Sequence, residues 1–291
     1  MPVPLPYYDP LALPREPAAD LSAADLYLDL MKRCLTRYGF DDGLVPVDPW
    51  PGWRSRLWPA MQRILDRKNW EIFRRAEYNP EYREDGRDWP QRAETMIGLR
   101  RLNNLQHCIE QVVADKVPGD LIEAGVWRGG ASIFMRAALA AYGDTDRLVW
   151  VADSFQGLPK PDTKNDADRG DQHWTRTELA VSLETVKRNF SRYNLLDQQV
   201  RFLKGWFSDT LAGAPIEQLA VLRADGDMYG STVDILNALY PKLSVGGFAI
   251  IDDYGAVPAC RAATEDYRSE HGITEPMERI DWTGVFWQRQ S

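Results

Sequence analysis

The sequence predicts an α/β fold in which helices cover both faces of a doubly wound, mostly parallel sheet. From about residue 116 onward, apolar strand-like runs alternate with segments of helical periodicity, which is the pattern of such sheets. Five strands are expected, beginning at Leu121 and then near 148–152, 199–203, 219–224 and 247–252. Helices are expected at 130–142, 178–192 and 231–242, and two short strands around Ile280 and Val285 would close a seven-stranded sheet.

The N-terminal part of the chain is predicted to be a separate, largely helical extension. Residues 1–20 contain six prolines, which disfavour regular structure, so this stretch is expected to be an arm. Helices are predicted from Ser22 to about Arg37, from Trp58 to Ala76 and from Thr95 to about Ala114, with a loop at 40–55. The predicted organisation is therefore an arm (1–20), a helical cap (21–115) and a sheet domain (116–291).

Two turns that carry glycines and acids follow the first strands of the sheet domain. One contains Glu123 and Gly125, and the next strand ends at Asp153. Glycine lets the backbone approach a ligand closely, and an acid at the second strand end can accept hydrogen bonds from both hydroxyls of a ribose. The glycine spacing matches neither G-x-G-x-x-G nor G-x-x-x-x-G-K-[ST], which disfavours dinucleotides and nucleoside triphosphates. The pattern favours S-adenosylmethionine, with Glu123 and Gly125 against its methionine portion and Asp153 on its ribose.

Further cofactor contacts are predicted nearby. Ser154 follows the ribose-binding acid and either assists it or forms the turn. Gly205-Trp206-Phe207-Ser208-Asp209 follows another strand, where an adenine would lie. Trp206 or Phe207 is expected to stack on the base and Asp209 to accept from its exocyclic amine, although packing of the aromatic rings into the core is nearly as well supported.

Four carboxylates follow two later strands and indicate a metal site. Asp225 and Asp227 end the strand near 219–224, and Asp252 and Asp253 end the next one. In a parallel sheet these ends lie along one edge, where like charges repel unless they are protonated or bridged by a cation. Oxygen ligands without nearby Cys or His favour Mg²⁺, Ca²⁺ or Mn²⁺ over zinc. The alternative is that Asp227 and Asp253 only form turns and cap the following helices.

Several motifs together resemble the macrocin O-methyltransferase family. They are Asp88-Trp89-Pro90, the run 95–102, Glu123 to Gly130, Asp153 to Pro159, Asp225 to Tyr229, Leu239 to Leu243 and Ile250 to Gly255. They follow one another in order between about residue 22 and the C-terminus. The resemblance implies a class I, Rossmann-like methyltransferase fold, S-adenosylmethionine and Mg²⁺ as cofactors, and sugar hydroxyls of macrolide or aminocoumarin antibiotics as acceptors. It also implies that Thr95 and Met96 cover the amino-acid end of the cofactor, and that N-terminal contacts form a homo-oligomer.

Methyl transfer to a sugar hydroxyl requires alignment of the oxygen with the sulfonium and removal of a proton that is only weakly acidic. We expect Asp225, Asp252 and Asp253 to hold the divalent cation. Asp225 is the first candidate for the base and Asp227 the second. In catechol-type enzymes a Lys occupies the position of Met228, so a catechol mechanism is disfavoured.

The acceptor is expected to bind outside the strand edge. A hydrophilic insertion at 160–177 is longer than an ordinary strand–helix loop and is interpreted as a lid. Its His173 either assists proton removal or is solvated. The tryptophans of the 21–115 region suit stacking against sugar rings or a flat aglycone, although a packed helical cap or a subunit interface would explain each of them as well.

Charge and composition limit the possible partners and location. A net charge of −8 and a pI near 5.1 argue against nucleic acid and anionic membranes. No signal peptide or membrane-spanning run is predicted, and three scattered cysteines do not form a disulfide framework. The chain is therefore expected to be cytoplasmic.

The sequence is compatible with three functions. The first is a sugar O-methyltransferase that uses S-adenosylmethionine and a metal and acts on a glycosylated natural product. The second methylates a phenolic or other small-molecule hydroxyl. The third is a nucleotide-sugar-modifying enzyme of the dinucleotide class or an inactive binding module, which the glycine spacing and the four acids disfavour.

Overall fold

A computed structural model describes residues 21–40, 44–47, 58–70, 72–75, 78–161 and 166–291, so the predicted arm 1–20 lies outside the described residues. The helices are α1 (Ala23–Thr36), α2 (Trp58–Lys68), α3 (Pro80–Glu84), α4 (Gly98–Ala114), α5 (Gly130–Ala141), α6 (Leu183–Arg192), α7 (Phe207–Thr210), α8 (Tyr229–Leu239) and α9 (Pro258–Glu270). The strands are β1 (Leu44–Pro46), β2 (Phe73–Arg75), β3 (Asp120–Ala124), β4 (Val149–Asp153), β5 (Val200–Lys204), β6 (Leu219–Ala224), β7 (Leu243–Ile251), β8 (Glu278–Arg279) and β9 (Val285–Gln288).

The main sheet has seven strands in the order β5-β4-β3-β6-β7-β9-β8, which confirms the predicted doubly wound, mostly parallel sheet. The strands from β5 to β7 pair in parallel, and β9 runs antiparallel between β7 and β8. The chain leaves β3 in one direction to build β4 and β5, and later returns to the other side of β3 with β6. The carboxyl ends of β3 and β6 therefore flank the point where the strand order reverses, which is where open α/β sheets bind ligands.

Alternate residues of the strands fill two separate cores. Leu121, Val149 and Val221 face the cluster that includes α4 and α5, while Ile122, Trp150 and Leu222 face the cluster that includes α8 and α9. This alternation is the period of two that a sheet covered on both faces requires. Within the described ranges, no helix has both the length and the apolar character needed to cross a bilayer.

The second helix is shorter than predicted. It ends at Lys68 because Asn69 adopts a left-handed backbone (φ +53°) and the N–H of Trp70 donates back to the carbonyl of Leu65 at 2.9 Å. The chain then forms β2, which pairs antiparallel with β1 in a region predicted to be a loop. Pairing with a strand more than twenty residues away is not visible in a local pattern.

The end of α1 fixes the segment that enters the site. The carbonyl of Leu35 accepts from the N–H groups of Glu94 and Thr95 at 3.1 and 3.3 Å, and the carbonyl of Glu94 accepts from the N–H of Gly130 at 3.0 Å. Arg83 Nη1 donates to the carbonyl of Thr36 at 2.8 Å. The predicted cofactor-covering residues are thereby held between α1 and the start of α5.

Candidate active site

The carboxyl ends of the parallel strands are joined to one another beyond the strands themselves. The N–H of Gly125 donates to the carbonyl of Ala152 at 2.9 Å. In the same way, the N–H of Asp225 donates to the carbonyl of Ala124 at 2.8 Å, and that of Asp252 to the carbonyl of Ala224 at 3.0 Å. The N–H of Gly205 likewise donates to the carbonyl of Asp153 at 3.0 Å, so the five strand ends form a continuous edge. Along this edge lie, in spatial order, the 205–209 turn, Asp153, the 123–125 turn, the 225–227 turn and the 252–253 pair.

A cavity of about 930 Å³ opens at this edge. Its volume is at the upper end of the range for small-molecule sites. Every predicted site residue lines it, namely Thr95, Met96, Glu123, Gly125, Asp153, Ser154, Trp206, Asp209, Asp225, Asp227, Asp252 and Asp253. The structure therefore brings the whole predicted set to one cavity, although their individual roles stay predictions.

The turn after β3 needs glycine. Gly125 has φ +92°, and a Cβ built on it would lie 1.8 Å from the carbonyl oxygen of Asp225. Three non-glycine residues on this edge, Trp127, Phe155 and Asp227, also have positive φ values, at 47°, 57° and 54°. Such backbone strain is concentrated at ligand sites because the surrounding structure must impose it.

Asp153 and Glu123 are held rigidly in the half of the cavity predicted for the cofactor. The carboxylate of Asp153 accepts from the N–H groups of Val126 and Phe155 at 2.8 and 2.7 Å, and burial raises its pKa against the effect of these bonds. Glu123 is 2% exposed and accepts from Ser132 Oγ and, at 2.7 Å, from Arg223 Nη1. Burial raises the pKa of Glu123 to about 7 although the guanidinium opposes the shift.

The other cofactor candidates differ in how free they are to bind. The hydroxyl of Ser154 donates to the carbonyl of Gly157 at 2.7 Å and accepts from the N–H of Gln156 at 2.9 Å, so it forms the turn. Trp206 is half-buried at the start of α7 and Asp209 is exposed. Both line the cavity beyond the end of β5, so Trp206 is not buried in the core.

Three carboxylates form a compact acidic cluster, which we call the acid triad: Asp225, Asp227 and Asp253. One oxygen of each lies within 4.8 Å of the others, and all three residues are half-buried. Asp253 Oδ2 is buried and, among the described residues, has no hydrogen-bond partner. Burial, followed by the charges of Asp227 and Asp225, raises the pKa of Asp253 well above its ordinary value.

The acid triad fits a divalent cation. Burial and the charge of Asp225 raise the pKa of Asp227 to about 7, with His173 opposing the shift. Burial and the charge of Asp252 similarly raise the pKa of Asp225. A cation ligated by carboxylate oxygens would relieve this repulsion and satisfy the unpaired oxygen of Asp253.

Asp252, predicted with Asp225 and Asp253 as a metal ligand, lies outside the acid triad, and its role as a ligand stays a prediction. It is 4% exposed, and its two oxygens accept hydrogen bonds from the guanidinium groups of Arg101 and Arg223. Both oxygens are therefore used in ion pairs. The third carboxylate of the acid triad is that of Asp227.

The two buried arginines were not predicted as site residues. Arg223, on β6, is 2% exposed and pairs with Glu123, Asp225 and Asp252. Arg101, on α4, is 6% exposed and pairs with Asp252. The signal available in the sequence was an arginine inside the otherwise apolar run 219–224, directly before the acids.

The predicted lid segment contacts the acid side of the site. Asp168 is 2% exposed and accepts from the N–H groups of Tyr229 and Gly230 at 2.7 and 3.0 Å, which caps the start of α8. His173 lines the cavity, and its Nδ1 lies 2.7 Å from Asp171 Oδ2. Residues 162–165 of this segment lie outside the described residues.

Aromatic rings line the mouth of the cavity. Trp89 is 41% exposed, and the guanidinium of Arg176 lies 5.2 Å from the centre of its ring. Trp282, which was not predicted, also lines the cavity and donates from Nε1 to the carbonyl of Asp85 at 2.9 Å. Trp50 and Trp53 lie outside the described residues.

The strand order with its antiparallel β9, and the cavity at the carboxyl edge, define a protein with the class I methyltransferase fold. The family described as Macrocin-O-methyltransferase (TylF) matches residues 24–289. The chain belongs to this family and is an O-methyltransferase, which confirms the resemblance predicted from the sequence.

Named relatives agree with this assignment. The 8-demethyl-8-(2,3-dimethoxy-alpha-L-rhamnosyl)-tetracenomycin-C 4'-O-methyltransferase of Streptomyces olivaceus is 53% identical over 268 residues, which cover 91% of this chain and 93% of that protein. The Mycinamicin III 3''-O-methyltransferase of Micromonospora griseorubida is 49% identical over 274 residues, or 93% and 98% of the two chains. The solved structure of the O-methyltransferase NovP is 47% identical, with a TM-score of 0.80 over 92% of this chain and 100% of that one.

Proposed function

We propose that this protein transfers a methyl group from S-adenosylmethionine to a sugar hydroxyl of a glycosylated natural product, with a divalent cation, Mg²⁺ first among the candidates, in the acid triad. The observation that carries the proposal is the arrangement along one strand edge. Residues suited to a nucleoside cofactor follow β3, β4 and β5, and the acid triad follows β6 and β7. An acceptor between the two halves would face both.

The acceptor class is supported by the relatives. One acts on a rhamnosyl-tetracenomycin at its 4'-oxygen and another on mycinamicin III at its 3''-oxygen, and both share about half of their residues with this chain over more than nine-tenths of its length. Met228, buried beside the acid triad, replaces the lysine expected of a catechol-type enzyme. A glycoside therefore fits better than a phenol.

In the proposed reaction, S-adenosylmethionine supplies a methyl group on an electrophilic sulfonium, and the cation would make the acceptor hydroxyl more acidic. Asp153 would accept from the ribose hydroxyls in addition to the bonds it accepts from Val126, Phe155 and Ser154. Glu123 would lie against the methionine end of the cofactor, with its carboxylate held by Ser132 and Arg223. The aromatic mouth would exclude water and orient the sugar.

Asp227 is the better placed of the two candidate bases. Asp225 Oδ2 already accepts from Arg223 at 2.9 Å, which ties that carboxylate to the buried network. Within the part of the chain that the structure describes, Asp227 makes no ion pair. It lines the cavity and is available to take the hydroxyl proton as the methyl group transfers.

Calorimetry would test the cofactor and metal sites separately. We expect wild type to bind S-adenosylhomocysteine, Asp153→Asn to bind it at least about tenfold more weakly, and Asp253→Asn to retain it while losing the heat of Mg²⁺ binding. Asp146→Asn, in an exposed turn, is the matched control. Absence of S-adenosylhomocysteine binding to wild type would overturn the proposal.

The acceptor class would be tested by mass spectrometry. We expect addition of one methyl group to mycinamicin III or to a rhamnosylated tetracenomycin, and none to catechol, with S-adenosylmethionine and Mg²⁺ present. Methylation of catechol alone would replace the glycoside proposal with the phenolic one.

A further inference from the structure

Arg223 lies between the two halves of the proposed site. Its Nη1 donates to Glu123 Oε1 at 2.7 Å and to Asp225 Oδ2 at 2.9 Å, and its Nη2 donates to Asp252. The side chain is 2% exposed, so these bonds are not exchanged for bonds with water. One nitrogen thus joins a carboxylate of the cofactor half to a carboxylate of the acid triad.

The geometry makes the two carboxylates interdependent. The guanidinium of Arg223 is a rigid planar group. Because the same nitrogen, Nη1, donates to Asp225 and to Glu123, a change in its bond to Asp225 also affects its bond to Glu123. A cation that draws on the charge of Asp225 leaves the positive charge of the guanidinium shared among fewer carboxylates. The bond from Arg223 to Glu123 then strengthens, and the negative field that opposes an ionised Glu123 falls.

The second oxygen of Glu123 is already fixed. Ser132 Oγ, at the start of α5, donates to Glu123 Oε2, and Ser132 is fully buried. On the other side, Asp252 is anchored by Arg101, which also lies 3.0 Å from Asp281 Oδ2. Because Glu123 and Asp252 are both held from their other sides, a change in the charge of Asp225 reaches Glu123 through the hydrogen bonds of Arg223 rather than through movement of the surrounding groups.

We infer that Arg223 is a positioning residue that couples the two ligand sites, so that a cation in the acid triad tightens cofactor binding at Glu123. The inference rests on the proposed function. Coupling between two sites is reciprocal, so the cofactor must tighten cation binding by the same factor.

Calorimetry with S-adenosylhomocysteine and Mg²⁺ measures this coupling without turnover. In wild type we expect the dissociation constant of S-adenosylhomocysteine to fall about fivefold or more when EDTA is replaced by Mg²⁺, and that of Mg²⁺ to fall by the same factor when S-adenosylhomocysteine is present. We call the coupling ratio the dissociation constant of S-adenosylhomocysteine in EDTA divided by that in Mg²⁺. Arg223→Lys keeps the charge but not the planar fork, and its coupling ratio is expected to fall close to one.

Two further variants separate coupling from general damage. Arg136, on α5, is 8% exposed and pairs through two nitrogens with Asp197, away from the cavity, so Arg136→Lys should keep the wild-type ratio. Glu123→Gln removes the charge at the other end of the bridge and should also bring the ratio close to one. It decides the question if Arg223→Lys does not fold.

The outcomes are distinct. A wild-type protein that binds both ligands with a ratio of one would overturn the inference and leave the proposed function standing. A wild-type ratio that survives in Arg223→Lys or, should that variant not fold, in Glu123→Gln would show that another route carries the coupling. Failure of wild type to bind S-adenosylhomocysteine would overturn the proposed function itself.

Discussion

Replacing Asp227 with Asn should stabilise the protein at neutral pH when metal is removed. Asp227 is half-buried beside Asp225 and Asp253, and burial and like charge raise its pKa to about 7. Asn has the same shape without the charge, and it tolerates the left-handed backbone found here (φ +54°). The substitution therefore removes repulsion without adding strain.

The size of the effect follows from the shift in pKa. A rise from 3.8 to about 7 is about three units, and each unit corresponds to about 1.4 kcal/mol, which gives an upper value of about 4 kcal/mol. Half-burial reduces this to about 2 kcal/mol. The pKa of Asp227 is higher in the folded state than in the unfolded chain. Its ionisation therefore costs the folded state nothing below about pH 4, and the destabilisation grows to its full size as the pH rises through about 7.

The assay is thermal or urea unfolding in EDTA at pH 8 and pH 5, on wild type, Asp227→Asn and the exposed control Asp146→Asn. At pH 8 the melting temperature of Asp227→Asn should exceed that of wild type by several degrees, and the gap should shrink by about half or more at pH 5. Addition of Mg²⁺ should stabilise wild type more than the variant. Equal stabilities at pH 8 in EDTA would refute the assigned electrostatic repulsion.

Two other substitutions, one of them with a glycine control, test a close backbone contact at the sheet edge and the cap of α8. Gly125→Ala should lower the free energy of unfolding by about 3 kcal/mol or more, because its Cβ would lie 1.8 Å from Asp225 O. Gly143 also has a positive φ (+69°), but no atom lies within 4 Å of an added Cβ, so Gly143→Ala should lower the free energy of unfolding much less in the same urea titration. Equal losses in the two variants would assign the effect to backbone strain alone. Asp168→Ala should cost about 1 kcal/mol and accelerate hydrogen exchange at the Tyr229 amide, whose unchanged exchange would exclude the capping role.

The sheet was predictable because its strands are apolar runs separated by helices, and the site was predictable because parallel strands place their carboxyl ends together. Gly125 and Asp153 could be singled out as residues that end such strands. The same rule predicts that Asp225 and Asp253 lie at one edge.

The choice between neighbouring acids was not predictable. Asp252 and Asp253 both line the cavity, but only Asp252 accepts hydrogen bonds from the buried arginines. One of those arginines, Arg101, lies 151 positions earlier in the chain. Only a tertiary contact of that kind could identify Asp252 as a partner of guanidinium groups.

The hydrogen bonds from Glu94 and Thr95 to the carbonyl of Leu35 bear on how freely pieces of this enzyme can be exchanged with those of its relatives. A chimera that takes its first helix from another protein must place the carbonyl at the end of α1 where Leu35 has it. Otherwise the strand-edge cavity loses the wall formed by Thr95 and Met96. The N-terminal extension and the sheet would therefore have to be exchanged together. Recombination points inside the sheet domain, in exposed turns such as 143–146, are better suited to shuffling than the apparent boundary at 115.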